Sequence, residues 1–379
     1  MIDAATIDQF LVNARERVVR AVRRPALDLP LLFALLVLAT VGLATLYSAS
    51  NFDRHLVANQ GLRFVLGGIL MLLIARVPPS VLRNWTPWLY IASLFLLVIV
   101  AVLGQGRGAH RWLNLGIMRF QPSELVKLTL PMMAAWYLHA RELPPRWTAL
   151  AALALLIGAP ALLIGRQPDL GTALLVAASG VFAIFLAGLA WWRIGLALAA
   201  LGAVAPLAWH SPFMHEYQRN RLRMFLDPES DPLGNGWHII QSEIAVGSGG
   251  WFGKGWHHGT QSQLEFLPEH TTDFIFAVFS EEWGLIGVLL LLALYIFIVG
   301  RGLWIAANAR DTYSRLLAGS ISMAFFVYVM VNGGMITGLL PVVGVPLPLI
   351  SYGGTSAVSL LAGFGVLMSI HSHRRLLPR

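Results

Sequence analysis

Asp273 stands where a long polar stretch gives way to a long apolar one, in Leu267-Pro-Glu-His-Thr-Thr-Asp-Phe274. A carboxylate at the mouth of a membrane span is unfavourable unless it is solvated, paired or used. An ionised, partly desolvated Asp can act as a general base or as a cation ligand. Its bland role would be to cap the following helix. Thr271 and Thr272 just before it already supply capping groups, and the helix dipole there favours the charged carboxylate.

Other ionisable residues fall near the same depth. Glu124 and Lys127 are three apart at the start of an apolar run, so they share one helix face, and an ion pair is their simplest account. Asp169, in Arg166-Gln-Pro-Asp-Leu-Gly171, opens another apolar run, and helix capping is its favoured role. Glu281 and Glu282 lie about 12 Å or more below Asp273 along a helix, which suits buried pairing better than contact with an outer ligand. Arg107, Arg111 and Arg119 crowd one polar connection. Arg219, Arg221, Arg223 and Lys254 lie in the stretch 210–272. These cations suggest an anionic ligand, with pairing to Asp227, Glu229 and Asp231 as the alternative.

Some chemistry is excluded. The chain has no cysteine, so disulfides, thiolate metal sites and cysteine nucleophiles are absent. The histidines show no metal-ligand spacing. Gly247-Ser-Gly-Gly-Trp-Phe-Gly-Lys-Gly255 resembles a phosphate loop only superficially. Ser248 replaces its first Gly, and Gly255 stands where Ser or Thr should follow the Lys. A flexible or re-entrant segment packed on protein is expected instead. Ser351-Tyr-Gly-Gly-Thr-Ser356, after Pro341, Pro346 and Pro348, forms a second irregular connection whose glycines permit close backbone approach.

The elements that must position these residues are membrane helices. The 379 residues are 57% hydrophobic and 12% charged, with a mean hydropathy of +0.68. Apolar runs at roughly 29–49, 58–77, 85–104, 123–139, 148–165, 170–189, 191–209, 273–299, 316–339 and 353–371 predict an all-α, polytopic membrane protein of about ten helices. No signal peptide is expected, because a polar and basic segment precedes the first run. The pI of 10.3 reflects loop arginines rather than a nucleic-acid partner. Arginines concentrate in the N-terminal arm, the tail and alternate short loops. Both termini are therefore expected to be cytoplasmic, with a large extracytoplasmic loop at about 210–272 between helices 7 and 8. Residues 1–27 form a segment of their own, in which Ile7, Leu11, Ala14, Val18 and Val22 make one helical stripe suited to the membrane surface. Residues 28–379 form a single transmembrane domain.

The chain resembles the SEDS (shape, elongation, division, sporulation) family. The resemblance rests on Arg111-Trp-Leu-Asn-Leu-Gly116, Phe120-Gln-Pro-Ser-Glu-Leu-Val-Lys127, Gln167-Pro-Asp-Leu-Gly-Thr172, Lys254-Gly-Trp256, Gly259-Thr-Gln261, Phe266 to Phe274 and Pro346-Leu-Pro-Leu-Ile-Ser-Tyr-Gly-Gly354. The stretches from Gln241 to Trp256 and from Leu340 to Pro346 resemble its elongation branch. The order His270-Thr271-Thr272 departs from the family's usual pattern by setting the His one place farther from Asp273, so no role is carried over to that histidine. The resemblance implies a peptidoglycan glycosyltransferase of the bacterial cytoplasmic (inner) membrane that polymerises lipid II at its outer face. The implied partners are a class B penicillin-binding protein and other elongation-complex membrane proteins. Asp273 would be the catalytic base, and Arg111, Glu124, Lys127, Asp169, Lys254 and Ser351 would bind substrate. A divalent cation, Mg or Mn, at the substrate diphosphate is compatible with this, although no carboxylate cluster in the sequence marks a cage for it. The rival reading is a flippase for the lipid-linked precursor, which would place its site near the midplane within an internal repeat. No such repeat is evident. A scaffold that only recruits the penicillin-binding protein would need no base.

Overall fold

A computed structural model describes residues 27–103, 111–114, 119–210, 216–227, 235–260 and 269–374. Most helix starts follow from local chemistry. Asp28 caps α1 (Leu29–Ala49) by accepting from the Leu31 amide at 3.0 Å, and Asp53 caps α2 (Arg54–Ala75). α3 (Pro79–Leu103) and α4 (Pro122–His139) both open on proline, whose missing N–H is not needed in a first turn. Between them Leu113–Asn114 pairs antiparallel with Arg119–Phe120 in a two-residue ladder. α5 (Trp147–Gly165), α6 (Leu170–Leu186) and α7 (Trp191–His210) follow. α10 (Ile275–Ala307), α11 (Thr312–Ile336) and α12 (Thr355–Ser372) complete the bundle.

Helices thus occupy all ten predicted segments. Seven of them are long and apolar enough to cross a membrane, and α6 is a shorter apolar helix. Burial sorts them: α12 and α11 are mostly buried, whereas α2 exposes most of its surface, as a lipid-facing helix does. α12 packs on α2, and α11 packs on α6 and α10, so the two most buried helices form the centre. The stretch 210–272 was expected to be a loop, but it contains α8 (Glu216–Leu226) and α9 (Asn235–Ser248), the latter packed on α10. The predicted interfacial segment at the N-terminus and Arg107 lie outside the described residues.

The run Gly249–Gly255 is the expected segment packed on protein, and the backbone explains how. α10 is interrupted at Gly284 (φ 64°, ψ −166°). The broken turn leaves backbone groups without helical partners, which apolar surroundings do not tolerate. The segment supplies them. The amides of Lys254 and Gly255 donate to the carbonyls of Glu281 and Glu282 at 3.0 and 3.1 Å, and those of Leu285 and Ile286 donate to Gly250 and Trp251 at 2.9 and 3.1 Å. A Cβ at Gly284 would collide with the Gly253 amide nitrogen in a left-handed conformation. Gly284→Ala is therefore expected to destabilise the protein by about 3 kcal/mol and to increase protease cleavage at 249–255, measured by thermal unfolding and limited proteolysis in detergent.

Candidate active site

The residues around Asp273 belong to a turn, not to a helix. α10 begins at Ile275, with Phe274 in the capping position and no side-chain cap. The expectation that Thr271 or Thr272 caps this helix is corrected. The Thr272 hydroxyl turns back to the Glu269 carboxylate at 2.7 Å, and its amide donates to the Glu269 carbonyl. Asp273 does not cap the helix either, and no ion pair holds its carboxylate among the described residues. Neither a helix cap nor an ion pair among the described residues accounts for this carboxylate.

The turn is fixed from below. Asn332, fully buried on α11, donates through its amide nitrogen to the carbonyls of Asp273 (2.9 Å) and Val345 (2.7 Å). One side chain thereby ties the Asp273 turn to the loop 341–354. That loop is clamped from several helices: Tyr295 donates to the Pro348 carbonyl at 2.7 Å, Gln60 to that of Ser351 at 3.4 Å, and Arg63 to the Tyr352 hydroxyl at 3.0 Å. The Tyr352 amide returns to the Thr271 carbonyl at 2.8 Å. Gly344 (φ 73°) brings its backbone under the carboxylate, and a Cβ there would lie 3.4 Å from Asp273 Oδ2. Gly344→Ala therefore meets left-handed strain rather than a clash, and it is expected to destabilise the protein by about 1–2 kcal/mol, as thermal unfolding would show.

Asp169 lies across this loop. Gly171 is pressed against the Val343 carbonyl, where a Cβ would come within 2.5 Å, so α6 starts at the loop's other side. Asp169 caps α6 through the Thr172 amide (3.2 Å), which fulfils the expected role, and it also accepts from Gln121 (3.3 Å) and faces Arg111 Nη1 (3.8 Å). Arg111 is anchored by the carbonyls of Gln167 (2.8 Å) and Pro168 and remains partly exposed. Glu124 and Lys127 form the predicted ion pair at 2.6 Å, with Ser359 donating to the second Glu124 oxygen at 2.6 Å. The Lys127 ammonium lies 5.2 Å from the Tyr328 ring centre.

Asp273 itself lies outside the spans. Burial raises its carboxyl from the usual carboxylate range to about 6. The charge of Glu269 pushes the same way, Arg221 opposes it, and Asp169 adds a further upward push. Asp273 and Asp169 thus sense each other, and the carboxylate is poised to accept a proton near neutral pH. Among the described residues no group of three His, Asp or Glu side chains is placed to hold a metal ion.

Two predicted site residues are placed elsewhere. Lys254 is bound to the buried Glu281 at 2.6 Å, with Thr260 donating to the same oxygen through its amide (2.9 Å) and hydroxyl (3.0 Å). It serves the strut on α10, and Glu281 has the buried pairing role expected of it. Ser351 is 3% exposed, and its hydroxyl accepts from the Leu347 amide at 2.7 Å, so it shapes the loop rather than lining a ligand surface. Conversely Gln60, Arg63, Asn332 and Tyr328 were not singled out from sequence. A polar residue within an apolar run was the available signal for the first three.

The chain is similar to known proteins along most of its length. The family model for FtsW/RodA/SpoVE cell cycle proteins matches residues 25–376. The chain is 52% identical over 354 residues to the peptidoglycan glycosyltransferase MrdB of Escherichia coli, covering 93% of this chain and 95% of that one. It is 37% identical to the stage V sporulation protein E of Bacillus subtilis, over 92% and 98%. Among solved structures, it matches the rod shape determining protein RodA of Thermus thermophilus with a TM-score of 0.70 at 31% identity, over 92% and 98%. It also matches a chain from a peptidoglycan synthase complex that structurally coordinates polymerization and crosslinking, with a TM-score of 0.80 at 36% identity, over 91% and 98%. With motif, helix order and backbone in agreement along nearly its whole length, this chain belongs to the FtsW/RodA/SpoVE family of cell cycle proteins.

Proposed function

We propose that this chain is a peptidoglycan glycosyltransferase that polymerises lipid II into glycan strands during cell elongation. The observation that carries the mechanism is Asp273: a carboxylate without a cap or ion-pair role, raised to about 6, on a turn clamped by Asn332 above a glycine floor. Identity of 52% to a peptidoglycan glycosyltransferase supports the reaction class.

In this reading Asp273 removes the proton from the 4-hydroxyl of the acceptor GlcNAc. The freed oxygen attacks the anomeric carbon of the donor MurNAc with inversion, and the bond to undecaprenyl diphosphate breaks as that group leaves. Charge grows on the diphosphate, and fixed cations stabilise it. Arg111 is suited to this because carbonyls orient it, it stays partly exposed, and its ion pair with Asp169 is a long one at 3.8 Å. Lys127 offers a second cation, oriented by Glu124, and Asp169 sets the position of Arg111 and Gln121.

The same reading sets the chain in the cytoplasmic membrane with ten spans, both termini inside and Asp273 at the outer face. Arginine placement supports that orientation. A class B penicillin-binding protein is the proposed partner, supported by the match to a synthase complex that couples polymerization to crosslinking.

The test is polymerisation of purified lipid II by detergent-purified protein, with moenomycin present to silence other glycosyltransferases. Glycan strands visible on a gel are the expected result. Lipid translocation in vesicles with no polymer would overturn the enzyme reading in favour of a flippase.

A further inference from the structure

The end of the bundle opposite Asp273 carries a polar hollow. α10 runs from the Asp273 turn to Ala307, so the α10–α11 link lies at its far end. A cavity of about 330 Å³ opens there, lined by Ser80 and Arg83 of α3, Arg310 and Asp311 of the link, and His373 after α12.

Two arginines converge on this hollow. Several arginines elsewhere have partners: Arg146 pairs with Glu142 at 2.6 Å, Arg301 with Asp28 at 2.9 Å, and Arg141 and Arg374 lie over aromatic rings. Arg83 and Arg310 form no ion pair with any described carboxylate. Asp311, the one carboxylate in the lining, is occupied by capping α11, accepting from the Ser314 amide (3.0 Å) and hydroxyl (3.2 Å). The hollow therefore has an unbalanced positive charge.

Its level in the membrane is marked by Trp85 and Trp88, 60% and 68% exposed within two turns of Arg83. Exposed indoles of this kind sit at the headgroup boundary. Farther along the same helix Phe95 is 65% exposed, as a lipid-facing side chain is. A guanidinium can direct two parallel N–H bonds to phosphate oxygens, and basic hollows between helices at this depth suit anionic headgroups.

We propose that this hollow binds the phosphate headgroup of an anionic phospholipid in the leaflet opposite Asp273, held by Arg83 and Arg310. The inference does not depend on the glycosyltransferase reading, since no residue of the Asp273 site takes part.

Native mass spectrometry of the full chain in detergent, titrated separately with phosphatidylglycerol, phosphatidylcholine and inorganic phosphate, tests it. Phosphatidylglycerol should be retained in preference to phosphatidylcholine. Its affinity should fall about fivefold in Arg310→Gln, an exposed position where folding is not at stake, and about thirtyfold in Arg83→Gln/Arg310→Gln. Arg83→Lys/Arg310→Lys should retain most of the affinity, and Arg146→Gln all of it. Equal phosphatidylglycerol binding by wild type and Arg310→Gln would overturn the proposal. Saturation by inorganic phosphate without preference between the lipids would overturn it too, making the hollow a site for free phosphate.

Discussion

Asp273→Asn is expected to slow lipid II polymerisation by about 10²- to 10⁴-fold, the range over which a positioned general base contributes. The substitution is nearly isosteric, and the backbone contacts that hold the turn, from Asn332 and from the Glu269 carbonyl, are not made by the side chain it changes. Thermal unfolding of the purified variant should therefore match wild type. That combination separates a catalytic role from a structural one. A carboxylate that merely stabilised the turn would lower the unfolding temperature and leave the rate of the folded fraction intact. A scaffold protein would show neither effect on chemistry.

The second large effect is expected at the Glu124–Lys127 pair. Its two side chains are 6% and 12% exposed, and the pair is completed by Ser359. Removing one partner leaves the other charge buried, which destabilises a protein by about 3–5 kcal/mol. Lys127→Met should thus unfold well below wild type. Glu124→Gln/Lys127→Met removes both charges at once, and in a low-dielectric site such a replacement is often close to neutral. The double variant is therefore expected to regain most of its thermal stability. If Lys127 stabilises the leaving diphosphate, the double variant should still polymerise lipid II at least about tenfold more slowly than wild type. Recovery of both stability and rate would confine Lys127 to a structural role.

The fold was largely legible because apolar length carries most of the information in a membrane protein. The predicted run at 29–49 coincides with α1 at Leu29–Ala49. Where boundaries moved, local chemistry moved them. α2 starts at Arg54 rather than 58 because Asp53 caps it, and α3 starts at Pro79 rather than 85 because proline opens it. α8 was missed because Glu216–Leu226 carries its arginines within an otherwise short polar stretch, where hydropathy is silent. α9 was missed because its single apolar face packs on α10.

The site was legible as a set of residue types and less so as contacts. Asp273, Arg111, Glu124, Lys127 and Asp169 stand out in the sequence because charge near hydrocarbon is rare. The pairing of Lys254 was not legible because its partner, Glu281, lies 27 residues away on α10. The hydrogen bond of Ser351 to the Leu347 amide was not legible because a glycine-rich neighbourhood looks the same in sequence whether it faces a ligand or folds back on its own amides. Asn332 was overlooked inside an apolar run, although its position joins the turn and the loop that together present Asp273.

The most direct test of Asp273 as the base is the initial rate of lipid II polymerisation by the purified protein from pH 5 to pH 8, with moenomycin present. A base works only when ionised, and the raised carboxyl at about 6 is mostly ionised at neutral pH. The rate should hold between pH 7 and 8, halve near pH 6 and fall about tenfold for each further unit of acidity. The Asp273→Asn variant should lack that acid limb as well as most of the rate. A wild-type rate that stays flat through pH 6, or a variant that polymerises as fast as wild type, would contradict the assignment of Asp273 as the base.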